Sequence, residues 1–427
     1  MSNVVDVKAR SILDSRGHPT LEAQVALEGG AIGIAAVPSG ASTGRYEAVE
    51  LRDHDESRYH GRGVDQAVSN ANLYLREAIL GLDVRDQTRI DDALILADGT
   101  SDKSRIGANA VLAVSLACAH AAANDNQVGL YQCLNPNDAN LLPVPFLNVL
   151  NGGRHASGSS DIQEFMLVPV GFDRFSDALR CGVEIYHSLG RLLEERNLPT
   201  TVGDEGGFAP SLGSNRAALD LLMMAIQYAG YKPGDQVMLA IDVAATELHS
   251  ERGYKLSLEN ALLQGEQLVD MYEDWARSYP LVSIEDGLAE DEWEDWTLMN
   301  DRLGGLVQSV GDDLYTTNIS RISIGVSERA SNAVLIKPNQ IGTLTETLNA
   351  IDLCNSVNWA AMISHRSGET EDTTIADLAV ATRVGQIKAG APSRSERVAK
   401  YNRLLRIEEA LGSKATYAGM QAFKHLQ

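Results

Sequence analysis

The sequence predicts an α/β fold in which an N-terminal α+β segment is followed by a longer series of parallel strand and helix units. Three observations support this prediction. Strand and helix patterns are mixed in the opening third, an Asn- and Pro-rich stretch follows between Tyr131 and Pro145, and one strand-then-helix unit repeats from about Met238. We therefore predict a domain boundary in the Asn- and Pro-rich stretch, with domains at 1–135 and 136–427.

The opening third contains both kinds of pattern. Apolar and polar residues alternate in TLEAQVAL, which predicts a half-buried strand, and AIGIAAVPSG predicts a second strand. Helical spacing of apolar residues predicts three helices, in GVDQAVSNANLYLREAIL, QTRIDDALILAD and GANAVLAVSLACAHAAA. The third is interrupted by His120 and is too short to span a bilayer, so we interpret it as a buried helix and expect no membrane insertion.

The second part of the chain repeats a short apolar run that ends in a charged residue and leads into a turn and a helical pattern. The runs are VMLAID, PLVSIED, LVQSVGDD, AVLIK and WAAMISHR. Each unit suits one parallel strand and its return helix, and strands that are apolar throughout favour a barrel or a doubly wound sheet. In a barrel, all strand ends would meet at one mouth. These ends carry Asp242, Glu285, Asp312, Lys337 and His365.

Composition and charge narrow the classes of function. Lys and Arg total 36 against 58 for Asp and Glu, which gives a net charge of −22 for 427 residues. Such an acidic surface argues against nucleic acid or an anionic membrane as the main partner. The four cysteines are widely spaced, so neither a disulfide framework nor a zinc knuckle is indicated. The charged opening stretch does not fit a signal peptide, and we expect a cytoplasmic location.

Three carboxylates at consecutive strand ends, Asp242, Glu285 and Asp312, predict a metal site. They would repel one another at the mouth unless a cation lies between them. Oxygen ligands without cysteine favour Mg²⁺. The alternative, that each acid caps a helix or faces solvent, is weaker for three such residues than for one.

Lys337 follows the wholly apolar AVLI and should project beside this metal site. An ordinary surface lysine is the alternative interpretation. Desolvation, the cations and a second lysine, Lys388 in GQIKAG, are expected to lower the pKa of Lys337, and a neutral lysine is a base. Such a base suits proton abstraction next to a carboxylate, because nearby cations can hold the negative enolate that results.

Two further loops carry candidate binding and acid groups. Arg366 and Ser367, with His365, lie in SHRSGETED and suit a phosphate or a carboxylate, although a structural salt bridge fits equally well. Asp204 and Glu205 lie in a glycine-rich turn, where a buried glutamate could protonate a leaving hydroxyl. An acidic turn without catalytic function is the alternative there.

The loop NGGRHASGSSDIQEFM supplies His155, Gln163 and Glu164. His155 fits either a substrate contact or an ordinary loop histidine, and the lack of an HExxH motif argues against zinc. In the first domain, VPSGASTG has the small residues of a flexible loop but lacks the lysine of a P-loop. We interpret that loop as a mobile lid and not as a nucleotide site.

Taken together, these motifs resemble the enolase family. The stretches VPSGASTG, NGGRHA, DIQEFM, GDEGGFAP, SIEDG, GDDL, LIKPNQIG, SHRSGETED and SRSERVAKYNRLLRIEEALG occur in the family's order, between Val37 and Gly412. The resemblance implies an N-terminal α+β capping domain and a modified TIM-type (β/α)8 barrel that departs from regularity at its beginning and carries catalysis. It also implies reversible dehydration of 2-phospho-D-glycerate to phosphoenolpyruvate and water, in glycolysis and gluconeogenesis.

The resemblance also implies a role for each site residue. Lys337 would take the C2 proton, and Glu205 would act as the acid for the departing C3 hydroxyl. The first of two Mg²⁺ ions would be held by Asp242, Glu285 and Asp312, and the second, which arrives with substrate, by Ser42 on the closing loop. Substrate contacts would come from His155, Gln163, Glu164, His365, Arg366, Ser367 and Lys388.

The resemblance further implies a homodimer or an octamer of dimers, with a possible secondary pool at the cell surface or outside the cell. Two rival functions fit the same fold: that of a racemase or cycloisomerase of the same superfamily, and that of a non-enzymatic structural or surface-binding protein. GDEGGFAP and SHRSGETED argue against the first, and the intact catalytic residues argue against the second. Pro338 departs from the family, in which Val or Phe often follows the lysine, and we expect its missing N–H to be tolerated at a strand end.

Overall fold

The computed structural model describes residues 2–40, 44–156 and 158–426. The strands are β1 (Val4–Leu13), β2 (Pro19–Leu27), β3 (Ile32–Ala36), β4 (Leu141–Leu142), β5 (Val144–Asn151), β6 (Glu164–Pro169), β7 (Val237–Asp242), β8 (His249–Ser250), β9 (Gly253–Leu256), β10 (Ala261–Leu263), β11 (Leu281–Glu285), β12 (Gln308–Gly311), β13 (Ala333–Ile336), β14 (Ala360–Ser364), β15 (Gln386–Lys388) and β16 (Thr416–Tyr417). The helices are α1 (Asp65–Asn70), α2 (Arg76–Ile79), α3 (Gln87–Asp98), α4 (Ala108–Asp125), α5 (Leu130–Leu134), α6 (Phe175–Glu195), α7 (Asn215–Tyr228), α8 (Gly265–Ser278), α9 (Trp293–Leu303), α10 (Ile319–Glu328), α11 (Pro338–Ile341), α12 (Leu344–Ser356), α13 (Thr374–Thr382) and α14 (Ser395–Leu411).

The N-terminal part is an antiparallel sheet, β1-β2-β3, packed on the buried helix α4. Alternate residues of β2 point to the core, as TLEAQVAL predicts, and Leu21, Ala23 and Val25 are fully buried. β3 passes so close to α4 that a Cβ at Gly33 would lie 2.1 Å from the carbonyl oxygen of Ala117, so only glycine fits there. The three predicted helices are confirmed, the first as α1 and α2 joined by a π-helical segment.

The second part is a closed barrel of eight strands in the order β11-β12-β13-β14-β15-β5-β6-β7. This confirms a barrel over a doubly wound sheet. Neighbouring strands are parallel except around β6, which is antiparallel to both β5 and β7. The predicted irregularity at the beginning of the barrel is therefore a reversed second strand.

The five apolar runs predicted from the sequence form β7, β11, β12, β13 and β14, so those strand predictions are confirmed. Strands β1, β5 and β6 were not predicted. The insertion after β7 forms a small sheet of its own, β10-β9-β8. This small sheet is separate from the barrel, and none of its strands belongs to the eight that form the mouth.

Apolar side chains fill the barrel interior below the mouth. Phe146 contacts Phe423, with ring centroids 6.0 Å apart, and both rings are fully buried. Gln308 and Gln386 satisfy each other's amides by a reciprocal pair of 2.8 Å hydrogen bonds. Each large apolar side chain buried in this way contributes about 1.5–3 kcal/mol, so the interior is a packed core on which the mouth is built.

In the described part of the chain, we find no helix that combines the length and the apolar character needed to cross a lipid bilayer.

Candidate active site

The residues predicted for the site converge at the carboxyl ends of the barrel strands, around a polar cleft of about 330 Å³. Glu285 lies beside this cleft, fully buried and bonded to a residue that lines it. Ser42, predicted to hold a second metal ion, lies outside the described residues. The cleft is lined by His155, Gln163, Glu164, Glu205, Asp242, Asp312, Lys337, Ser364, His365, Arg366, Ser367 and Lys388.

The register of the barrel strands brings these side chains to the same height at the mouth of the barrel. Asp242 and Glu285 are the last residues of β7 and β11 and are paired in the sheet register. Glu164 is the first residue of β6 and pairs with Asp242. Because β6 is reversed, its first residue arrives at the mouth where its neighbours deliver their last. Lys388 is likewise the last residue of β15.

Lys388 is the cation at the centre of the carboxylates. Its Nζ lies 2.8 Å from Glu285 Oε1, 3.0 Å from Asp242 Oδ2 and 3.2 Å from Glu164 Oε1. Burial acts to lower the pKa of Lys388, but these three carboxylates outweigh burial and hold the pKa well above its usual value. In the protein alone, the ammonium group therefore neutralises part of the acidic cluster.

The carboxylates at the mouth retain unused ligand capacity. Burial, with the charge of Asp242, raises the pKa of Glu285 to about 8. Among the described residues, buried Glu285 Oε2 and Glu164 Oε2 have no hydrogen-bond partner. Unpartnered oxygens of this kind, in a donor set of carboxylates without sulfur, fit a hard divalent cation such as Mg²⁺. Glu285 belongs to the predicted set of Asp242, Glu285 and Asp312. Among the described residues, the groups whose ligand atoms lie close enough to share one ion are His155, Glu164 and Glu205, and Asp286, Asp312 and Asp313.

Asp286 is a supporting residue that sequence reasoning missed. It forms a tight acidic cluster with Asp312 and Asp313. Its two oxygens accept the backbone N–H groups of Asp312 at 2.7 Å and Asp313 at 2.9 Å. The side chain of Asp286 therefore fixes the turn that presents Asp312.

Lys337 follows β13 and its side chain bonds to Asp312 Oδ2. Its backbone N–H donates to Thr317 Oγ1 at 2.9 Å, and Gln340 Nε2 donates to Asp312 Oδ1 at 2.9 Å. Pro338 occupies the first position of α11, where an N–H would have no helical partner, so its ring suits the position.

The expectation of a lowered pKa for Lys337 is wrong for the protein alone. Burial acts to lower the pKa, but the Asp312 carboxylate outweighs burial, and the pKa of Lys337 lies above its usual value. Arg366 and Lys388 act in the opposite direction, because positive charge disfavours a second ammonium. The protonation state of Lys337 thus depends on whether the Asp312 carboxylate remains bonded to it.

Arg366 forms the salt bridge that the sequence left as an alternative. Its Nη1 and Nη2 donate to the two oxygens of Glu47 at 2.9 and 3.1 Å, and Nη1 also donates to Asn339 Oδ1 at 3.1 Å. Ser367 beside it accepts from Arg16 Nη1 at 3.4 Å. The N-terminal part therefore contributes Glu47 and Arg16 to this end of the cleft.

Glu164 and Glu205 form a second pair of buried acids. His155 lies between them, with Nδ1 3.7 Å from Glu164 Oε1 and Nε2 3.8 Å from Glu205 Oε1. Burial, reinforced by the charge of Glu205, raises the pKa of Glu164 well above its usual value. Burial acts the same way on Glu205, but His365 and His155 outweigh it and hold its pKa well below. Of the two carboxyls, Glu164 therefore has the higher pKa.

A buried ion pair supports the loop that carries Arg366. Glu369 Oε1 accepts the backbone N–H of Arg366 at 3.1 Å, and Oε2 accepts from Lys400 Nζ at 2.8 Å. Burial acts to raise the pKa of Glu369, but Lys400 and Arg397 outweigh burial and hold the pKa below its usual value. The ionised carboxylate is therefore part of the folded structure.

This lowered pKa predicts a stability effect of acid that depends on Glu369. Because the unfolded chain binds the proton at a higher pH than the folded chain, the contribution is complete above the ordinary glutamate pKa of about 4.3. It is lost as the pH falls through the lower, folded-state value. We expect Glu369→Gln to be destabilised relative to the native sequence near neutral pH, with the difference shrinking in acid, as measured by urea unfolding across pH.

The matched control is Glu22→Gln, which removes the carboxylate of an exposed pair with Arg10, 2.9 Å apart. Exposed pairs contribute about 0–1 kcal/mol, so this variant should follow the native pH curve. A pH-independent loss of stability in Glu369→Gln would show that the carboxylate charge is not what stabilises the loop.

The fold and the site together define a closed-barrel protein with a cleft of buried acids, lysines and an arginine at the carboxyl ends of its strands. Residues 4–134 match the family model described as enolase, N-terminal domain, and residues 139–426 match the model described as enolase, C-terminal TIM barrel domain. The chain belongs to the enolase family. Membership indicates a magnesium-dependent lyase that acts on a small molecule.

Proposed function

We propose that the protein is a phosphopyruvate hydratase, which reversibly dehydrates 2-phospho-D-glycerate to phosphoenolpyruvate and water. One observation carries the proposal: a lysine, Lys337, and a buried acid pair, Glu164 and Glu205, line the same cleft as Arg366 and Lys388. Removal of a proton from one carbon and of hydroxide from the next requires a base and an acid around one substrate. Two anionic groups on that substrate require cations.

We propose that Asp242, Glu285 and Asp312 hold the first Mg²⁺ and that Ser42 contributes to a second, which arrives with substrate. A bound cation would supply positive charge to the substrate carboxylate. Asp312, which bonds to Lys337 in the protein alone, would be one of the residues that hold that cation. Two features of the chain support this proposal. Glu285 Oε2 has no hydrogen-bond partner among the described residues, and Asp286 fixes the turn that presents Asp312.

Lys337 is the proposed base for the C2 proton. It must present a neutral amine, and its neighbours Arg366 and Lys388 favour that form by repelling an ammonium. The backbone of Lys337 is held by Thr317, and α11 begins at the next residue. The backbone that carries the Lys337 side chain is therefore fixed, which helps to position the amine for proton transfer over a hydrogen-bond distance.

The proposed acid for the C3 hydroxyl is Glu205, working with Glu164. The pKa of Glu164 is the higher of the two, and His155 lies between the two carboxyls. We infer that the pair delivers a proton to the departing hydroxyl through Glu205. Asn148 Nδ2 donates to Glu205 Oε2 at 3.0 Å and orients that carboxyl.

Arg366 and Ser367 are the proposed phosphate ligands, and Lys388 is the proposed ligand of the substrate carboxylate. Arg366 is already aligned by Glu47, so its guanidinium has a fixed position before the phosphate arrives. His155, Gln163, Glu164 and His365 complete the pocket in this proposal. Gln163 Nε2 lies 3.4 Å from Asp242 Oδ2, which places its amide beside the carboxylates.

The test is to supply purified protein with 2-phosphoglycerate and Mg²⁺. We expect the ultraviolet absorbance of an enol phosphate to appear, to stop when a chelator is added, and to return with excess Mg²⁺. Sustained turnover in excess chelator would contradict the metal assignment. If the protein exchanged or inverted an α-proton of another carboxylate but formed no enol phosphate, the rival racemase or cycloisomerase function would be supported.

We also propose that the protein acts in glycolysis and gluconeogenesis in the cytoplasm, as a homodimer or an octamer of dimers. Family membership and the acidic composition support this proposal. Light scattering of the purified protein would decide between the two assemblies, and a monomer at micromolar concentration would contradict both.

A further inference from the structure

Arg397 is a buried arginine of α14 that the proposed chemistry does not use. None of its surface is exposed, although its side chain lies beneath a polar cleft. A guanidinium is always charged and carries five N–H donors but no acceptor. Since burying such a group is costly unless its donors are bonded, its partners show what it stabilises.

Three of the hydrogen bonds of Arg397 hold the loop 365–367. Its Nη1 bonds to His365 Nδ1 at 2.5 Å and donates to the carbonyl oxygen of Arg366 at 2.5 Å. Its Nη2 donates to the carbonyl oxygen of Ser367, also at 2.5 Å. Three consecutive residues of the predicted substrate pocket are thus bound by one rigid side chain.

The same guanidinium reaches the loop that carries the proposed acid. Nη2 also donates to the carbonyl oxygen of Asp204, at 3.2 Å, next to Glu205. Its remaining donor, Nε, lies 3.5 Å from Glu396 Oε1. Arg397 therefore joins two loops: residues 204–205, here called the acid loop, and residues 365–367, here called the phosphate loop.

The contact with His365 determines where the imidazole carries its proton. Because arginine cannot accept a hydrogen bond, Nδ1 of His365 must be the acceptor and must be unprotonated. The proton of the neutral ring then lies on Nε2, which is 3.3 Å from Glu205 Oε2. Burial is the main cause that lowers the pKa of His365 to about 4, so the ring is neutral at neutral pH.

Packing at Gly390 leaves little room for another arrangement. A Cβ at this position would lie 2.9 Å from Arg397 Cδ, 3.0 Å from the carbonyl oxygen of Glu205 and 3.0 Å from His365 Cε1. Gly390 also has a φ of +83°, which favours glycine. The arginine, the imidazole and the acid loop are therefore in close contact around a position that accepts no side chain.

We propose that Arg397 is a positioning residue that holds His365 as the Nε2–H tautomer facing Glu205 and fixes the acid loop against the phosphate loop. Nε2 of His365 lies 3.3 Å from Glu205 Oε2 and has no hydrogen-bond partner among the described residues, so its N–H remains available on the Glu205 side. The effect of Arg397 on turnover rests on the proposed function, whereas the tautomer of His365 does not.

The first measurement is the tautomer itself, from nitrogen-15 NMR spectra of histidine-labelled protein. The His365 signals are assigned by their loss in His365→Gln. In the native protein we expect a protonated Nε2 and an unprotonated Nδ1 at neutral pH. A protonated Nδ1 or an imidazolium would overturn the proposal, whether or not any variant folds and whether or not the protein dehydrates 2-phosphoglycerate.

The second measurement compares variants of Arg397. Arg397→Met should release His365 into exchanging tautomers and lower kcat by about 100-fold, as expected when a reacting group is misplaced by about 1 Å. Arg397→Lys retains the charge but not the fork of donors, so we expect it to resemble Arg397→Met. Restoration of the tautomer and of kcat by lysine would show that charge alone suffices and would overturn the proposal.

Arg403→Met is the matched control on the same helix. Arg403 pairs with Asp377, at 2.6 and 2.7 Å, and does not bond to the loops of the cleft. This variant should leave the His365 spectrum and kcat unchanged while it loses some stability. An equal change in both variants would mean that general loosening of α14, and not the bonds of Arg397, produces the effect.

Discussion

Replacement of Lys337 by alanine is expected to abolish exchange of the C2 proton of 2-phosphoglycerate with solvent and to lower turnover by about 100- to 10,000-fold. The reason is that the Lys337 amine is the proposed base, held over the cleft by its backbone bond to Thr317. Exchange is measured by proton NMR in deuterated water, and turnover by the absorbance of the enol phosphate. The fold should survive, because the strand core before this residue is intact in the variant.

Lys103→Met serves as the control for loss of a buried lysine. Lys103 is almost fully buried and donates to Glu346 at 3.0 Å, away from the cleft. We expect this variant to lose stability and to keep C2 exchange. Undiminished exchange in Lys337→Ala would remove Lys337 from the role of base and would direct attention to another residue of the cleft.

Glu205→Gln is expected to lower dehydration by about 100- to 10,000-fold while it spares C2 exchange more than dehydration. An amide at this position cannot deliver a proton to the departing hydroxyl, but it leaves Lys337 in place. Because Glu164 has the higher pKa of the pair, we expect Glu164→Gln to show the same separation of the two steps. The ratio of the exchange rate to the dehydration rate is the quantity to compare.

Asp98→Asn is the control for loss of a buried acid, since Asp98 accepts the backbone N–H of Ile106 at 2.6 Å in the N-terminal part and does not line the cleft. It should change both rates little and in the same proportion. Equal loss of exchange and dehydration in Glu205→Gln would argue against an acid and for a residue needed to bind substrate. A difference between Glu164→Gln and Glu205→Gln would show which carboxyl hands over the proton.

The sequence predicted the parallel part of the barrel because each strand there is a continuous apolar run with a charge at its end. The same rule failed at β6, where the functional charge, Glu164, comes before the apolar run. Strand direction in the barrel is set by pairing with β5 and β7, and no local pattern in EFMLVP specifies it. From the sequence, Glu164 is predicted only as a candidate residue of the loop before this run, and its role as a substrate contact comes from the family resemblance.

For a similar reason, local sequence patterns could not predict the residues that support the site, such as Glu47 and Arg397. Glu47 binds Arg366, and Arg397 binds the loop 365–367, only because the fold brings distant segments together. In the sequence, each is an ordinary charged residue in a polar stretch. The prediction of a lowered pKa for Lys337 was wrong for the same reason. The pKa depends on a bond to Asp312, and the spacing of residues in the sequence does not reveal that bond.

The pairing that closes the barrel also sets the order in which the site can be assembled during synthesis. Strand β15 pairs with β5, and these strands are the last and the first of the barrel along the chain. Lys388, at the end of β15, is the cation that neutralises Asp242, Glu285 and Glu164. These carboxylates precede their counter-charge by 103 residues or more along the chain, so Lys388 can reach them only when β15 is in place. Pairing between such distant segments is slow to form, and we therefore expect the barrel to close late in folding.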